Sequence, residues 1–250
     1  MTSTSPTRTQ PKLLGQTLVV IGGSSGIGLE TARLARVEGA DLVITARNPE
    51  RLEVAARELE PRSTATFDAT DLTRLERFFA DLPGPIDHVM VTAGSPAYMP
   101  LDSMDLNEAR RAFDERLSVT LGTALFTRGK IRSGGSLLFI GGTGGRRPGT
   151  GMAIVGALTA ASPALVANLA LELAPTRVNL IAPGFVDTAL SASLLGDQID
   201  ARRNELRTTL PIGRVVEPED VAALAVHIMS NSALTGATYD VDGGQQLIAK

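Results

Sequence analysis

Short apolar runs alternate along the chain with longer stretches whose apolar residues recur every three or four positions. The first run, 18–21, predicts a buried strand, and 29–38 predicts a helix with Leu29, Ala32 and Ala35 on one face. A glycine-rich segment separates the two. The chain therefore opens with a strand, a turn and a helix.

The same alternation continues to the end of the chain. The further predicted strands are 41–46, 64–67, 86–91, 136–140, 177–181 and 238–241, and the further predicted helices are 49–59, one that begins near Asp71, 105–127, 151–174 and 217–230. Strands that alternate with helices predict an α/β fold, a parallel sheet covered by helices on both faces. Because no repeat or linker interrupts the pattern, we expect a single domain over 12–250.

Three glycines lie in the first turn. Gly22, Gly26 and Gly28 give the spacing G-x-x-x-G-x-G, whereas the common dinucleotide fingerprint is G-x-G-x-x-G. Such a turn lets the backbone approach a pyrophosphate, and the helix N-terminus then faces it with free N–H groups. Many glycine turns are only tight loops, but the flanking strand and helix favour a dinucleotide site. Its expected residues are Gly22, Ser24, Ser25, Gly26, Ile27 and Gly28.

Ligands of such sheets bind beyond the carboxyl ends of the strands, so the loops that follow the strands should converge on one cleft. Arg47 ends the second strand, where a cation suits the 2′-phosphate of NADP; the alternative is a solvated arginine. Asp68, with Ala69, follows the third strand and either faces the adenine or caps the next helix, for which Asp71 is the stronger candidate. Ala93 and Gly94 are small enough for a cofactor to lie across the sheet.

Composition excludes several other functions. The net charge is −3, the pI is about 5.5 and no basic stripe occurs, so nucleic acid is not an expected partner. The absence of cysteine excludes disulfides and thiolate chemistry. We expect His88 and His227 to be packed residues and no metal to bind. From the sequence we expect no apolar run long enough to span a bilayer. We interpret 1–11 as a disordered tail on a cytoplasmic protein.

Over nearly its whole length the chain resembles the short-chain dehydrogenase/reductase family. The matching segments are 22–28, Asp68, 93–94, 171–175, 177–179, 183–188 and 242–244. The resemblance implies a Rossmann-type doubly wound fold with a seven-stranded parallel sheet and selection of NADP(H) by Arg47. It also implies cofactor contacts from Pro183, Gly184, Val186 and Thr188, the last two to the nicotinamide carboxamide. Relatives usually form homodimers or homotetramers through two long helices and the last strand.

The catalytic signature of that family is missing. Its Tyr-x-x-x-Lys pair aligns with Val155 and Thr159, and its serine aligns with Gly142. Between Lys130 and Lys250 the only tyrosine is Tyr239, so a shifted alignment does not restore the pair. The family's helical asparagine aligns with Thr120 or Ser118. General acid catalysis contributes about 10²–10⁴ in rate, so reduction of ordinary ketones should be slow.

Four side chains could replace the missing donor. Tyr98 is more simply a wall of the cleft, Thr143 could bind substrate, and Arg146 and Arg147 are either solvated, which we favour, or hold an anion. The predicted substrate pocket consists of Tyr98, Gly142, Thr143, Met152 and Val155. A lid of two short helices at about 189–210 should cover it, and its apolar residues suggest an apolar small-molecule substrate.

Three functions fit these observations. The first is an NADPH-dependent oxidoreductase whose substrate, for example an iminium ion, needs no proton donor. The second is an inactive NADP(H)-binding sensor or partner protein. The third is a non-redox reaction in which the pocket acts as a template. We favour the first, because the cofactor site is complete.

Overall fold

The computed structural model describes residues 11–248; of the predicted tail at 1–11, all but Pro11 lies outside the described residues. Seven parallel strands form one sheet in the order β3-β2-β1-β4-β5-β6-β7, which confirms the predicted doubly wound α/β fold. The strands are β1 (Thr17–Ile21), β2 (Asp41–Ala46), β3 (Ser63–Thr66), β4 (Ile86–Val91), β5 (Ile131–Ile140), β6 (Arg177–Pro183) and β7 (Thr238–Val241). The strand order reverses between β1 and β4, and such a point opens a crevice at the carboxyl ends.

Helices cover both faces of this sheet. They are α1 (Gly26–Val37), α2 (Pro49–Leu59), α3 (Leu72–Asp81), α4 (Leu106–Phe126), α5 (Ala153–Glu172), α6 (Ala189–Leu195), α7 (Ile199–Thr209) and α8 (Pro218–Ser230). The two short helices α6 and α7 occupy the segment predicted to form a lid. Most predicted bounds agree within three residues.

Strand β1 shows why the central strands are apolar throughout. Leu18 and Val20 belong to the core on one face of the sheet, which includes α1 and α8. Val19 and Ile21 belong to the core on the other face, beneath α3, α4 and α5. All four side chains are buried. A parallel sheet covered on both faces therefore needs an uninterrupted apolar run rather than an alternating one.

Three expectations are wrong in detail. Strand β5 begins at Ile131, five residues before the predicted start. His88 is buried as expected, but His227 is exposed, because α8 buries its opposite face. Helix α5 is, by length and composition, apolar enough to cross a membrane, although we expected no such run. It packs in the fold against β6, and a single helix of this kind is weak evidence for a span.

Candidate cofactor and substrate site

The turn between β1 and α1 requires glycine, because its backbone leaves little space for side chains. Gly22 has φ +98° and Gly26 has φ +52°, which side chains rarely adopt. A Cβ atom on Gly28 would lie 2.3 Å from the Gly22 carbonyl oxygen and 2.6 Å from Thr92 Oγ1. Because Gly28 has no side chain, the start of α1 packs directly against the ends of β1 and β4.

The N-terminus of α1 carries no side-chain cap. Its N-cap residue, Ser25, is extended and exposed, and its hydroxyl accepts no hydrogen bond from the first turn. By contrast, Asn48 and Asp71 accept backbone N–H bonds at the starts of α2 and α3. The first turn of α1 also lacks acidic residues. These free N–H groups above a glycine cradle fit the pyrophosphate of a dinucleotide.

Arg47 and Asp68 face each other at the ends of β2 and β3. Their side chains approach to 3.6 Å, and 71% of the Arg47 side chain is exposed. Asp68 also accepts hydrogen bonds from the amide and hydroxyl of Thr70, while Asp71 caps α3, so the capping alternative for Asp68 is wrong. Burial opposes ionisation of Asp68, but the Thr70 hydrogen bonds and the charge of Arg47 outweigh it and lower the pKa of this carboxyl.

A cleft of about 280 Å³ connects these groups with the centre of the sheet. Its wall includes five of the predicted cofactor residues, namely Arg47, Asp68, Ala69, Ala93 and Gly94. The cleft continues along α4 to Thr120 and to the end of β5 at Phe139 and Ile140. It therefore follows the carboxyl ends of β2, β3, β4 and β5, where ligands of this fold class bind.

The three positions of the missing signature lie together. A Cβ atom on Gly142 would be 3.3 Å from Thr159 Cγ2. The Thr159 hydroxyl donates to the backbone carbonyl of Val155 at 2.8 Å, and the Val155 side chain is buried. None of these three residues carries an ionisable group. The one hydroxyl among them, that of Thr159, is bonded to the backbone of α5. The alignment of these positions is thus geometrically coherent, and the three residues supply no proton donor.

The remaining predicted substrate residues are Thr143, Met152 and Tyr98. Thr143 is buried, and its amide donates to the Pro183 carbonyl at 3.1 Å. The Met152 side chain lies beside Gly144. Tyr98 is half exposed; burial raises the pKa of its phenol, and the charge of Arg202 partly offsets this. Within residues 11–248, the five predicted pocket residues are absent from the wall of the cleft, so their role stays a prediction.

Arg146 and Arg147 are not merely solvated, contrary to our expectation. Arg146 pairs through two hydrogen bonds with Asp240 at the end of the sheet. Arg147 donates to the backbone carbonyl of Gln245. The sequence could not show this, since about 100 residues separate the partners. Both arginines fasten the loop after β5 to the C-terminal segment.

The loop after β6 leads from the sheet to the lid. Thr188 caps α6 by accepting the Ser191 amide, and its methyl carbon lies 3.4 Å from the position of a Cβ on Gly26. The Val186 carbonyl accepts the Ser191 hydroxyl at 2.6 Å. Gly184 has no room for a side chain, because Gln245 and Asp242 lie against it. The segment 183–188 is thus fixed beside the glycine turn, as a role in cofactor binding requires.

Sequence reasoning missed Arg116 of α4, which lines the cleft. Its guanidinium lies 3.7 Å from the position of a Cβ on Gly94, and its NH1 group donates to the Ile140 carbonyl at 3.2 Å. Burial lowers the pKa of this arginine. The available signal was its place one helical turn before Thr120, which aligns with the family's asparagine.

The chain is similar in sequence to known proteins over almost its whole length. The sequence profile of a family described as enoyl-(acyl carrier protein) reductase matches residues 21–246. A protein named short-chain dehydrogenase/reductase ATR9, from Stachybotrys chlorohalonatus, is 30% identical over 94% of this chain and 98% of its own length. Across residues 11–248, no group of three or more acidic or histidine side chains is arranged to hold a metal.

Two solved structures share the fold over almost the whole chain. The MalC reductase/Diels-Alderase of Malbranchea aurantiaca has a TM-score of 0.87 and 27% identity, and the match covers 96% of this chain and all of the other. A small-chain dehydrogenase in complex with NADPH has a TM-score of 0.80 and 29% identity, over 93% of this chain and 99% of the other.

Proposed function

The chain belongs to the short-chain dehydrogenase/reductase family, and from this premise we propose that it is an NADP(H)-dependent oxidoreductase whose substrate accepts a hydride without a proton from the usual tyrosine. The observation that carries the proposal is the coexistence of two features. The glycine turn and Arg47 have the features expected of a nucleotide cradle, whereas Val155, Thr159 and Gly142 offer no acid.

An imine in its protonated, iminium form suits such a site. When bound, the nicotinamide supplies a hydride to an electrophilic carbon. An iminium ion already carries its proton, so it becomes a neutral amine without an acid from the protein, whereas a ketone oxygen gains charge that needs a donor.

The choice of NADP(H) rests on Arg47. No carboxylate ends β2, and Arg47 lies at the rim of the cleft where the adenosine ribose is expected. A 2′-phosphate there would compete with Asp68 for the guanidinium. The structurally similar dehydrogenase solved with NADPH is consistent with this choice.

Calorimetric titration of NADPH and NADH tests the cofactor assignment. We expect micromolar binding of NADPH and much weaker binding of NADH. Arg47→Ala should weaken NADPH by about tenfold or more, because a charge-assisted contact is lost, and should leave NADH unchanged. Arg51→Ala, an exposed arginine on α2, is the control. Equal affinity for both cofactors would overturn the choice of NADP(H).

A panel of cyclic imines and ketones tests the reaction. With NADPH, we expect turnover of imines and little turnover of ketones. Rapid ketone reduction with inert imines would refute the proposal. The alternative is an inactive NADP(H)-binding protein, and the missing acid supports it equally. Multiple turnovers with any substrate would exclude it.

We also propose that the protein is a homo-oligomer assembled through α4 and α5. Leu117, Leu121 and Leu125 recur every four residues on α4 and are exposed. Alanines of the adjacent α5 are exposed as well, at Ala157, Ala161 and Ala164. A continuous apolar surface of this kind is unusual on a monomer.

A further inference from the structure

The charges that line the cleft are paired, with one exception. Six charged residues contribute to its wall: Arg47, Asp68, Glu108, Arg111, Glu115 and Arg116. Arg47 lies 3.6 Å from Asp68, and Arg111 lies 3.6 Å and 3.8 Å from Glu108 and Glu115. Within the described part of the chain, no carboxylate lies within 4.0 Å of Arg116. The cleft therefore contains one cation without a counter-ion.

The position of Arg116 suits contact with a ligand. Its guanidinium covers Gly94, at the end of β4, with three atoms at 3.7–3.8 Å from a Cβ built there. One NH1 hydrogen bond to Ile140, near the end of β5, fixes its orientation. A guanidinium has five N–H donors, so this single bond leaves most of them for another partner.

Burial makes the missing partner significant. The Arg116 side chain is partly withdrawn from water, and desolvation lowers its pKa without removing its charge. A partly buried charge is costly unless it is paired, and a bidentate carboxylate is the best match for guanidinium geometry. A purely structural tie to Ile140 would not need a cation.

We propose that Arg116 binds a carboxylate of the substrate, which makes the substrate class a carboxylate-bearing imine such as a cyclic imino acid. This inference rests on the proposed imine reduction. A simple iminium ion would be repelled by an unpaired guanidinium. A carboxylate beside the iminium carbon pairs with the guanidinium and so removes most of this repulsion.

The step balances without a further reactant. A hydride from NADPH forms a C–H bond at the imine carbon, and the C=N π pair moves to the nitrogen, which already carries its proton. The products are a secondary amine and NADP⁺. The carboxylate is unchanged and stays on Arg116 throughout, so the arginine is a binding residue and transfers no proton.

Ligand binding tests the inference without turnover. Pyrrole-2-carboxylate and its neutral amide, pyrrole-2-carboxamide, are titrated by calorimetry into the protein saturated with NADP⁺. We expect the carboxylate to bind at least about tenfold more tightly than the amide. Arg116→Gln, which keeps an N–H donor for Ile140, should abolish this preference, and Arg116→Lys should retain part of it.

The matched control is Arg110→Gln, an exposed arginine of the same helix. It should leave the preference unchanged. The inference is overturned if the wild-type protein binds the amide as tightly as the carboxylate, or if Arg116→Gln weakens both ligands equally. The wild-type comparison decides even if Arg116→Gln does not fold.

Turnover separates this inference from the proposed function. Δ1-pyrroline-2-carboxylate and 2-methyl-1-pyrroline are compared with NADPH as the reductant. We expect a kcat/KM ratio of about ten or more in favour of the carboxylate, lost in Arg116→Gln mainly through KM. Inert imines together with a carboxylate preference in binding would refute the imine reduction and keep the carboxylate site. Equal turnover of both imines would refute the site and keep the reduction.

Discussion

His88 is a buried histidine that serves stability rather than chemistry. Its Nδ1 lies 2.9 Å from the Ser136 hydroxyl, and its Nε2 lies 2.6 Å from Gln16 Oε1. Burial, together with the charge of Arg177, lowers its pKa from 6.5 to about 3. Gln16 Oε1 is an acceptor, so Nε2 carries the proton and Nδ1 accepts from Ser136 in the neutral ring.

Because of His88, we expect the protein to lose stability in acid. The unfolded chain binds a proton below pH 6.5, and the folded protein binds it only near pH 3. Stability from this residue is therefore complete above pH 6.5 and falls between pH 6.5 and 3, by on the order of a few kcal/mol. Urea unfolding of His88→Gln should show a smaller fall over this range than the wild type. Parallel curves would contradict the assignment.

We expect a side chain at position 28 to disturb the cofactor site sterically. An alanine there would place its Cβ 2.3 Å from the Gly22 carbonyl, so the turn must shift. We expect Gly28→Ala to lose at least about 2 kcal/mol of stability and to weaken NADPH binding more than tenfold. Gly156→Ala on α5 is the control, because its Cβ meets no atom closer than 3.7 Å. Unchanged NADPH affinity in Gly28→Ala would contradict the role of this glycine turn in cofactor binding.

At the scale of elements, Arg177 holds the end of α8. Its guanidinium donates to the carbonyls of Ile228 and Met229, and also to Gly134 and Leu234. Arg177→Met would remove the guanidinium donor from the Ile228 and Met229 carbonyls and should cost at least about 3 kcal/mol, measured by urea unfolding. Arg207→Met on α7, an exposed arginine, should change stability by less than about 0.5 kcal/mol. Similar losses in both variants would contradict the role of Arg177.

The elements also show what the sequence could predict. Apolar runs and helical spacing predicted all seven strands, because a sheet buried on both faces leaves a clear pattern. The start of β5 was missed because Arg132, Ser133, Gly134 and Gly135 resemble a loop. A Cβ on Gly135 would lie 2.3 Å from the Asp87 carbonyl, so backbone packing decides the structure there.

The candidate site was predictable to a similar extent. Local motifs predicted the glycine turn and the end of β2. Long-range pairs were not predictable: Arg146 meets Asp240, and Arg116 meets Gly94, only once the sheet has assembled. No local pattern distinguishes Arg146 from a solvated arginine such as Arg110, and the one signal for Arg116 is its place one helical turn before Thr120.

At the scale of the whole molecule, the proposed homo-oligomer would cover the apolar surface of α4 and α5. Helix α5 is apolar enough, by length and composition, to cross a membrane, yet only 22% of its most apolar 18-residue stretch is buried within a single chain. A second copy that packs Leu121 and its neighbours against the small residues of α5 would cover both helices at once. The close approach that alanines allow would give dense packing.

Sedimentation velocity tests this assembly. The wild type should sediment as a dimer or tetramer, and Leu121→Glu should shift it toward the monomer, because a buried carboxylate without a partner is costly. Val54→Glu is the control, since Val54 is an exposed apolar residue on α2, away from the proposed interface. A monomeric wild type, or equal effects of both substitutions, would refute assembly through α4 and α5.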